Sequence, residues 1–302
     1  MNAKHIPVLL KPVIRCLAPD KGGVFIDGTF GAGGYTQAIL ESGLNTKVIA
    51  FDRDSTVLST VKEFKAKYGD RFTFVQDRFG AVARYVSEPV DGFVLDIGVS
   101  SMQIDTPERG FSFRFDGPLD MRMSGQGVSA SDIVNNWPED KLADILYRYG
   151  EEKASRKIAR AIINARPLNT TLQLAEIIHS VMPRPKDGSD SAMRSFQALR
   201  IAVNDELGEL ERALSASSDI LKSGGRLVVV SFHSLEDRIV KEFLKENSAK
   251  TGHVNKYASQ KISTDALFIV PDKKPIMADE AELAQNPRAH SAKLRWAVRG
   301  NK

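Results

Sequence analysis

The chain has 302 residues, of which 26% are charged and 42% hydrophobic, and a formal net charge of +4. That composition suits one large globular domain or two ordinary ones and excludes a disordered chain. No apolar run is long enough to span a bilayer, and the first residues, broken by Pro7 and Lys11, do not read as a signal peptide. A single cysteine, Cys16, excludes an internal disulfide framework and makes a cytoplasmic home the expectation.

In chain order, residues 11–18 read as a short helix with Pro12 near its first turn. Val24–Asp27 is a short apolar run that ends in an acid and then glycines, and Lys47–Asp52 repeats the theme. A helix is expected over about 55–67, followed by apolar runs at Phe72–Val75 and Gly92–Asp96. Apolar runs alternating with helices predict a parallel, doubly wound α/β sheet, in which ligands bind at the carboxyl ends of strands. After Ser101 the pattern stops, and residues 107–126, rich in Gly, Phe, Arg, Asp and Met, read as an ordered loop.

Helical periodicity then dominates. Pro138 opens a helix, others follow near 152–165 and 172–182, and 183–188 reads as a mobile loop. A long helix is expected from about Ser195 to Lys222. Strand character returns at Arg226–Phe232, followed by a helix with Ser234 as N-cap and Asp237 in a weak capping box. Residues 247–290 read as surface loop with one strand at 266–270. The simplest architecture is an α/β domain, residues 1–105 and 207–302, interrupted by a helical insertion over 106–206.

The loop Asp27-Gly28-Thr29-Phe30-Gly31-Ala32-Gly33-Gly34-Tyr35 permits close backbone approach to a ligand. Gly34 and Tyr35 stand where a phosphate-binding P-loop needs Lys and Ser or Thr, and Thr36 replaces the third glycine of a dinucleotide loop. Asp52 at the next strand end suits ribose hydroxyls, and the Asp27 charge repels a pyrophosphate and favours a cationic ligand. S-adenosylmethionine combines ribose, adenine and a positive sulfur. Cys16 lies before the first strand and matches no nucleophile motif, so chemistry through a cysteine nucleophile is not expected. The histidines are scattered, and no metal site is expected.

Charge is unevenly placed. Lys153, Arg156, Lys157, Arg160 and Arg166 form one acid-free basic stretch, and Arg288, Lys293, Arg295, Arg299 and Lys302 a second. Together they permit contact with nucleic-acid phosphates. Phe111, Phe113 and Phe115 alternate with Ser112 and Arg114, a pattern that fits either base stacking or a loop pinned to the core.

Several blocks resemble the ribosomal RNA small subunit methyltransferase H family. They are His5–Leu10, Asp27–Gly34, Asp52–Asp54, Leu95–Ser101, Arg109–Phe113, Asp116–Met123, Phe196–Arg200, Ser231–Arg238 and Asn286–Arg288, spread in family order over nearly the whole chain. The resemblance implies a Rossmann-like class I methyltransferase sheet with an inserted helical, substrate-recognising domain. It implies transfer of methyl from S-adenosylmethionine to N4 of a cytidine in the decoding region of small-subunit ribosomal RNA, as RNA or in the 30S subunit. Position by position, it assigns Gly33, Gly34, Tyr35, Asp52, Phe79, Asp96 and Gln103 to the cofactor. Tyr35 departs from the family, which often has His there, and Ala192–Ser195 also departs from its usual pattern. Asp96 is in addition expected to accept the amino N–H of the target base, and His233 is the candidate base. The competing classes are a non-catalytic RNA-binding assembly factor, a methyltransferase for DNA or a small amine, and, weakest, a nicotinamide dehydrogenase.

Overall fold

The computed structural model describes residues 7–182, 188, 190–248 and 266–301. By its internal contacts the chain divides into two units, residues 1–98 with 207–302, and residues 99–206.

The first unit is built on one seven-stranded sheet in the order β3-β2-β1-β4-β5-β7-β6. Its strands are β1 (Gly23–Asp27), β2 (Thr46–Phe51), β3 (Phe72–Val75), β4 (Val90–Asp96), β5 (Leu221–Ser231), β6 (Phe268–Ile269) and β7 (Lys293–Arg299). The first five run parallel, and β7 pairs antiparallel with both β5 and β6. The expected mixed α/β class is therefore found. The order reverses direction between β1 and β4, where α/β sheets open a crevice at their strand ends.

Side-chain alternation along the strands makes two cores, one on each face. Phe25, Val94, Val228 and Val230 point to the face covered by α1 (Leu10–Leu17), α2 (Gly34–Glu41) and α3 (Leu58–Tyr68). Ile26, Phe93, Leu95, Leu227 and Val229 enter the other core. Buried at 0–1% exposure, each contributes about 1.5–3 kcal/mol relative to an exposed side chain.

The second unit holds α4 (Ser101–Asp105), α5 (Ala130–Asn136), α6 (Glu139–Gly150), α7 (Ser155–Ala165), α8 (Thr171–Val181) and α9 (Met193–Asn204). Its own core gathers Leu142, Leu146, Ile158, Ile162, Leu174, Ile178, Phe196 and Leu199. It begins at Val99, which packs on this core, rather than at 106. Capping boxes at Ser100, Ser129 and Thr170 start α4, α5 and α8.

Three expectations are corrected. The helix expected over 195–222 is two helices, α9 and α10 (Glu206–Ile220), because Asp205 takes a left-handed conformation with φ 51°. Asp tolerates that region better than most residues. The segment read as surface loop also contains α12 (Glu280–Gln285), following α11 (Ser234–Asn247). Of the single strand expected at 266–270, Phe268–Ile269 forms, and β7 was not foreseen. The loop expected at 183–188 lies, except for Gly188, outside the described residues, as do His5 and residues 249–265.

The second basic stretch also differs from expectation. Arg295 pairs with Asp237 at 2.6 Å and Lys293 with the same carboxylate at 3.3 Å. Arg299 donates to the carbonyls of Ser218, Leu267 and Gly300. These charges hold β7 to its surroundings. In the first stretch Arg166 is likewise taken up by the Val134 and Trp137 carbonyls, each at 2.6 Å. Lys153, Arg156, Lys157 and Arg160 are exposed, although Lys157 donates to the Val181 carbonyl at 2.6 Å and Arg160 pairs with Glu139 at 3.4 Å.

Candidate active site

The carboxyl ends of β1, β2 and β4 are tied to one another by polar contacts. Gly28 donates to the Val94 carbonyl at 2.9 Å and Phe30 to that of Phe51 at 2.8 Å. The Asp96 amide donates to the Thr29 hydroxyl at 2.8 Å, which fixes the end of β4 against the loop after β1. Asp52 Oδ2 accepts the Gly31 amide at 2.8 Å, and its Oδ1 accepts that of Asp54 at 2.9 Å.

The loop needs its glycines for two reasons. Gly31 and Gly33 have φ of 50° and 80°, a region L side chains rarely adopt. A Cβ on Gly34 would lie 2.2 Å from the Pro7 ring, and one on Gly33 2.5 Å from the Phe64 ring. Phe79 reaches the same place: its Cβ would lie 3.1 Å from a Cβ on Gly28, so the phenyl starts beside the loop while packing partly on the core. Glu209, only 4% exposed, holds that turn by accepting the Gly80 amide at 3.0 Å and pairing with Arg78 and Arg212.

Acidic groups concentrate here without a buried cation beside them. Asp27 is fully buried, accepts from the Thr36 hydroxyl at 2.7 Å and the Thr29 amide at 3.1 Å, and is pushed up to about 6 by burial. Burial also raises Asp52. Asp96 is raised well above the carboxylate range by burial, then by the charges of Asp27 and Glu236. Its Oδ1 is buried and has no hydrogen-bond partner. An orphaned carboxylate oxygen among other acids fits a cationic ligand, which would supply the missing counter-charge.

His233 is the N-cap of α11, in place of the expected Ser234, and Glu236 completes the capping box in place of Asp237. Its Nδ1 accepts the Glu236 amide at 3.5 Å, and the fully buried Glu236 accepts the Phe232 and His233 amides at 2.8 and 3.2 Å. Nε2 lies 3.0 Å from Glu236 Oε1 in a contact that lacks hydrogen-bond geometry.

The family model described as the MraW methylase family matches residues 2–300. The chain belongs to the MraW methylase family. Three relatives carry the name Ribosomal RNA small subunit methyltransferase H. The chain is 55% identical to one from Cereibacter sphaeroides (strain ATCC 17025 / ATH 2.4.3) over 299 residues, 98% of this chain and 90% of the relative. A second, from Dinoroseobacter shibae, is 53% identical over 97% of this chain and 89% of its own. A third, from Granulibacter bethesdensis, is 50% identical over 96% and 90%.

In this MraW-family methylase the first unit thus brings Gly33, Gly34, Tyr35, Asp52, Phe79 and Asp96 to the strand ends. Gln103 stands in the second unit, where its side chain accepts the Ser100 amide at 3.0 Å in the α4 capping box. Tyr35 is only 3% exposed, and its hydroxyl donates to the Val8 carbonyl. Glu209 and Glu236 were missed in the sequence. The signal for Glu236 was its place three residues after His233, one position out of step with the box expected at Ser234. Glu209 had the weaker signal of an acid close to the apolar stripe of α10. Among the described residues no group of His, Cys, Asp and Glu is placed to hold a metal ion.

Proposed function

We propose that the protein transfers a methyl group from S-adenosylmethionine to the exocyclic N4 of a cytidine in small-subunit ribosomal RNA. Family membership across residues 2–300 and relatives at 50–55% identity named as small-subunit rRNA methyltransferases support the reading. The observation that carries it at the site is the unsatisfied, buried Asp96 carboxylate beside a glycine loop and two further acids.

The cofactor supplies an electrophilic methyl on a positively charged sulfur. Gly33, Gly34 and the backbone of Tyr35 would hold it along the turn after β1, and Asp52 would accept from its ribose hydroxyls. Phe79 would offer an aromatic face to its adenine. A cationic ligand favours the ionised form of Asp96, offsetting the burial that raises its carboxyl. The ionised carboxylate then accepts an N–H of the target amine and orients its nitrogen, whose lone pair is otherwise delocalised into the ring. His233, committed to the α11 cap, is a positioning residue rather than the base.

The second unit, with Phe115 exposed and a basic face on α7, recognises the RNA. No helix of the described residues is long and apolar enough to cross a membrane, and a cytoplasmic location fits a ribosomal RNA substrate.

The test is transfer from labelled S-adenosylmethionine to small ribosomal subunits from cells lacking the protein, followed by nucleoside analysis. Label on cytidine N4 with wild type, lost in Asp96→Ala, is the expected result. Cofactor binding without label on any nucleoside would reject the substrate. Absence of both would favour an assembly factor.

A further inference from the structure

Tyr35 has a use that a backbone contact with cofactor does not explain. Its hydroxyl donates to the carbonyl of Val8. The other end of that peptide, the Leu9 amide, donates to Glu282 Oε1 of α12 at 2.5 Å. One peptide unit is thus gripped at both ends, by the second residue of α2 and by a side chain more than 240 positions further along the chain.

The same strap touches α2 a second time. The Pro7 ring occupies the space that a Cβ on Gly34 would take, 2.2 Å away. Leu9 is fully buried in a left-handed conformation with φ 53°, the N-cap of α1. A non-glycine residue holds that conformation only where its surroundings impose it. Glu282 is itself oriented, since its amide donates to the Asp279 carboxylate at the start of α12.

We infer that Pro7–Leu9 is a clamp on the cofactor loop, with Tyr35 and Glu282 as positioning residues acting through the Val8–Leu9 peptide. The clamp rests on the reading of the glycine loop as the cofactor site. Its effect is to fix the first turn of α2, whose amides lie beside the cofactor, without the Tyr35 side chain touching the ligand. A histidine at position 35 would meet Val8 with a different reach, so this clamp belongs to chains with tyrosine there.

The experiment compares wild type, Tyr35→Phe, Glu282→Ala and the double variant as full-length protein. Binding of S-adenosylhomocysteine is measured by calorimetry, alongside the thermal midpoint and amide exchange at Gly33 and Gly34. Each single variant is expected to bind about 5- to 10-fold more weakly, the worth of one hydrogen bond, at a temperature where it is fully folded. The two losses should be less than multiplicative, because either frees the same peptide. Exchange at Gly33 and Gly34 should quicken, and KM for S-adenosylmethionine should rise by more than kcat falls. Unchanged affinity and exchange in both variants, with only a lower midpoint, would overturn the clamp and leave the cofactor site standing. Failure of wild type itself to bind S-adenosylhomocysteine would overturn both.

Discussion

Asp52 Oδ2 accepts the Gly31 amide at 2.8 Å. The contact ties the tip of the loop after β1 to the end of β2, so the carboxylate proposed to hold the cofactor ribose also shapes the loop. Asp52→Asn keeps an oxygen for Gly31 but loses half of its accepting capacity. We expect S-adenosylhomocysteine affinity to fall about 10-fold in Asp52→Asn and about 100-fold in Asp52→Ala, read by calorimetry. Equal losses would show that the loop tie is not a separate contribution.

The burial of Asp27 predicts a pH dependence with a definite sign. Asp52 and Asp96 lie within electrostatic reach of it, Thr29 and Thr36 donate to it, and burial raises its folded pKa to about 6 from the ordinary aspartate value of 3.8. Between those values the folded protein holds a proton that the unfolded chain has released. This contribution to stability is therefore present in full below the lower value and is lost as pH rises through about 6. Binding a cationic cofactor favours the ionised form. Affinity for S-adenosylmethionine should thus rise with pH through about 6, with proton release from Asp27 on binding below that point. Calorimetry in two buffers of different ionisation enthalpy checks it, and Asp27→Asn should remove the part of the released proton that titrates near 6, leaving the part that comes from Asp96.

Two phenylalanines two residues apart should behave in opposite ways. Phe113 packs edge-on to Phe196, with centroids 5.6 Å apart, whereas Phe115 is 49% exposed. Phe113→Ala should cost about 2–4 kcal/mol of stability by urea unfolding, as a partly buried aromatic does. Phe115→Ala should leave stability within about 0.5 kcal/mol and weaken RNA binding by about 5- to 50-fold if it stacks on a base. A Phe115→Ala protein that binds RNA normally would restrict that loop to packing.

Asp237 anchors the C-terminal strand through Arg295 and Lys293. With side-chain exposures of 13% for Asp237 and 11% for Arg295, the pair is shielded from solvent, and surrounding cations hold the Asp237 carboxyl below its ordinary value. Asp237→Ala leaves the Arg295 charge poorly compensated and should destabilise by about 2–4 kcal/mol. Because the folded pKa is depressed, the stabilisation exists above the unfolded value and is lost as pH falls through the folded one. Wild type and variant should therefore converge in stability at strongly acidic pH.

The parallel strands were legible because a buried parallel sheet needs short continuous apolar runs, and β1 to β5 supply them. The loop glycines and Asp52 were legible because each strand end broadcasts a turn. β7 was not, because Lys293, Arg295 and Arg299 gave the segment the look of a charged tail. Its period-two alternation, Lys293-Leu294-Arg295-Trp296, was the available signal. That those charges meet Asp237 depends on a carboxylate 56 and 58 positions away, which no local pattern reveals. The break at Asp205 was hidden for a related reason: apolar spacing continued through it, while the left-handed turn depends on one backbone angle.

β5 hydrogen-bonds directly to β4, with Leu95 opposite Val229, yet the second unit lies between them in the chain. On a ribosome this sequence of events has a cost in time. At about 5–20 residues per second, β4 waits roughly 6–25 s for its neighbour to be synthesised. During that interval Phe93, Val94 and Leu95 form one open, sticky edge of an unfinished sheet, while the second unit acquires its core residues, Phe111 to Leu199, before β5 is made. The newborn chain is therefore most exposed to misassociation just before its fifth strand emerges. A chaperone that shields β4 would act in that window.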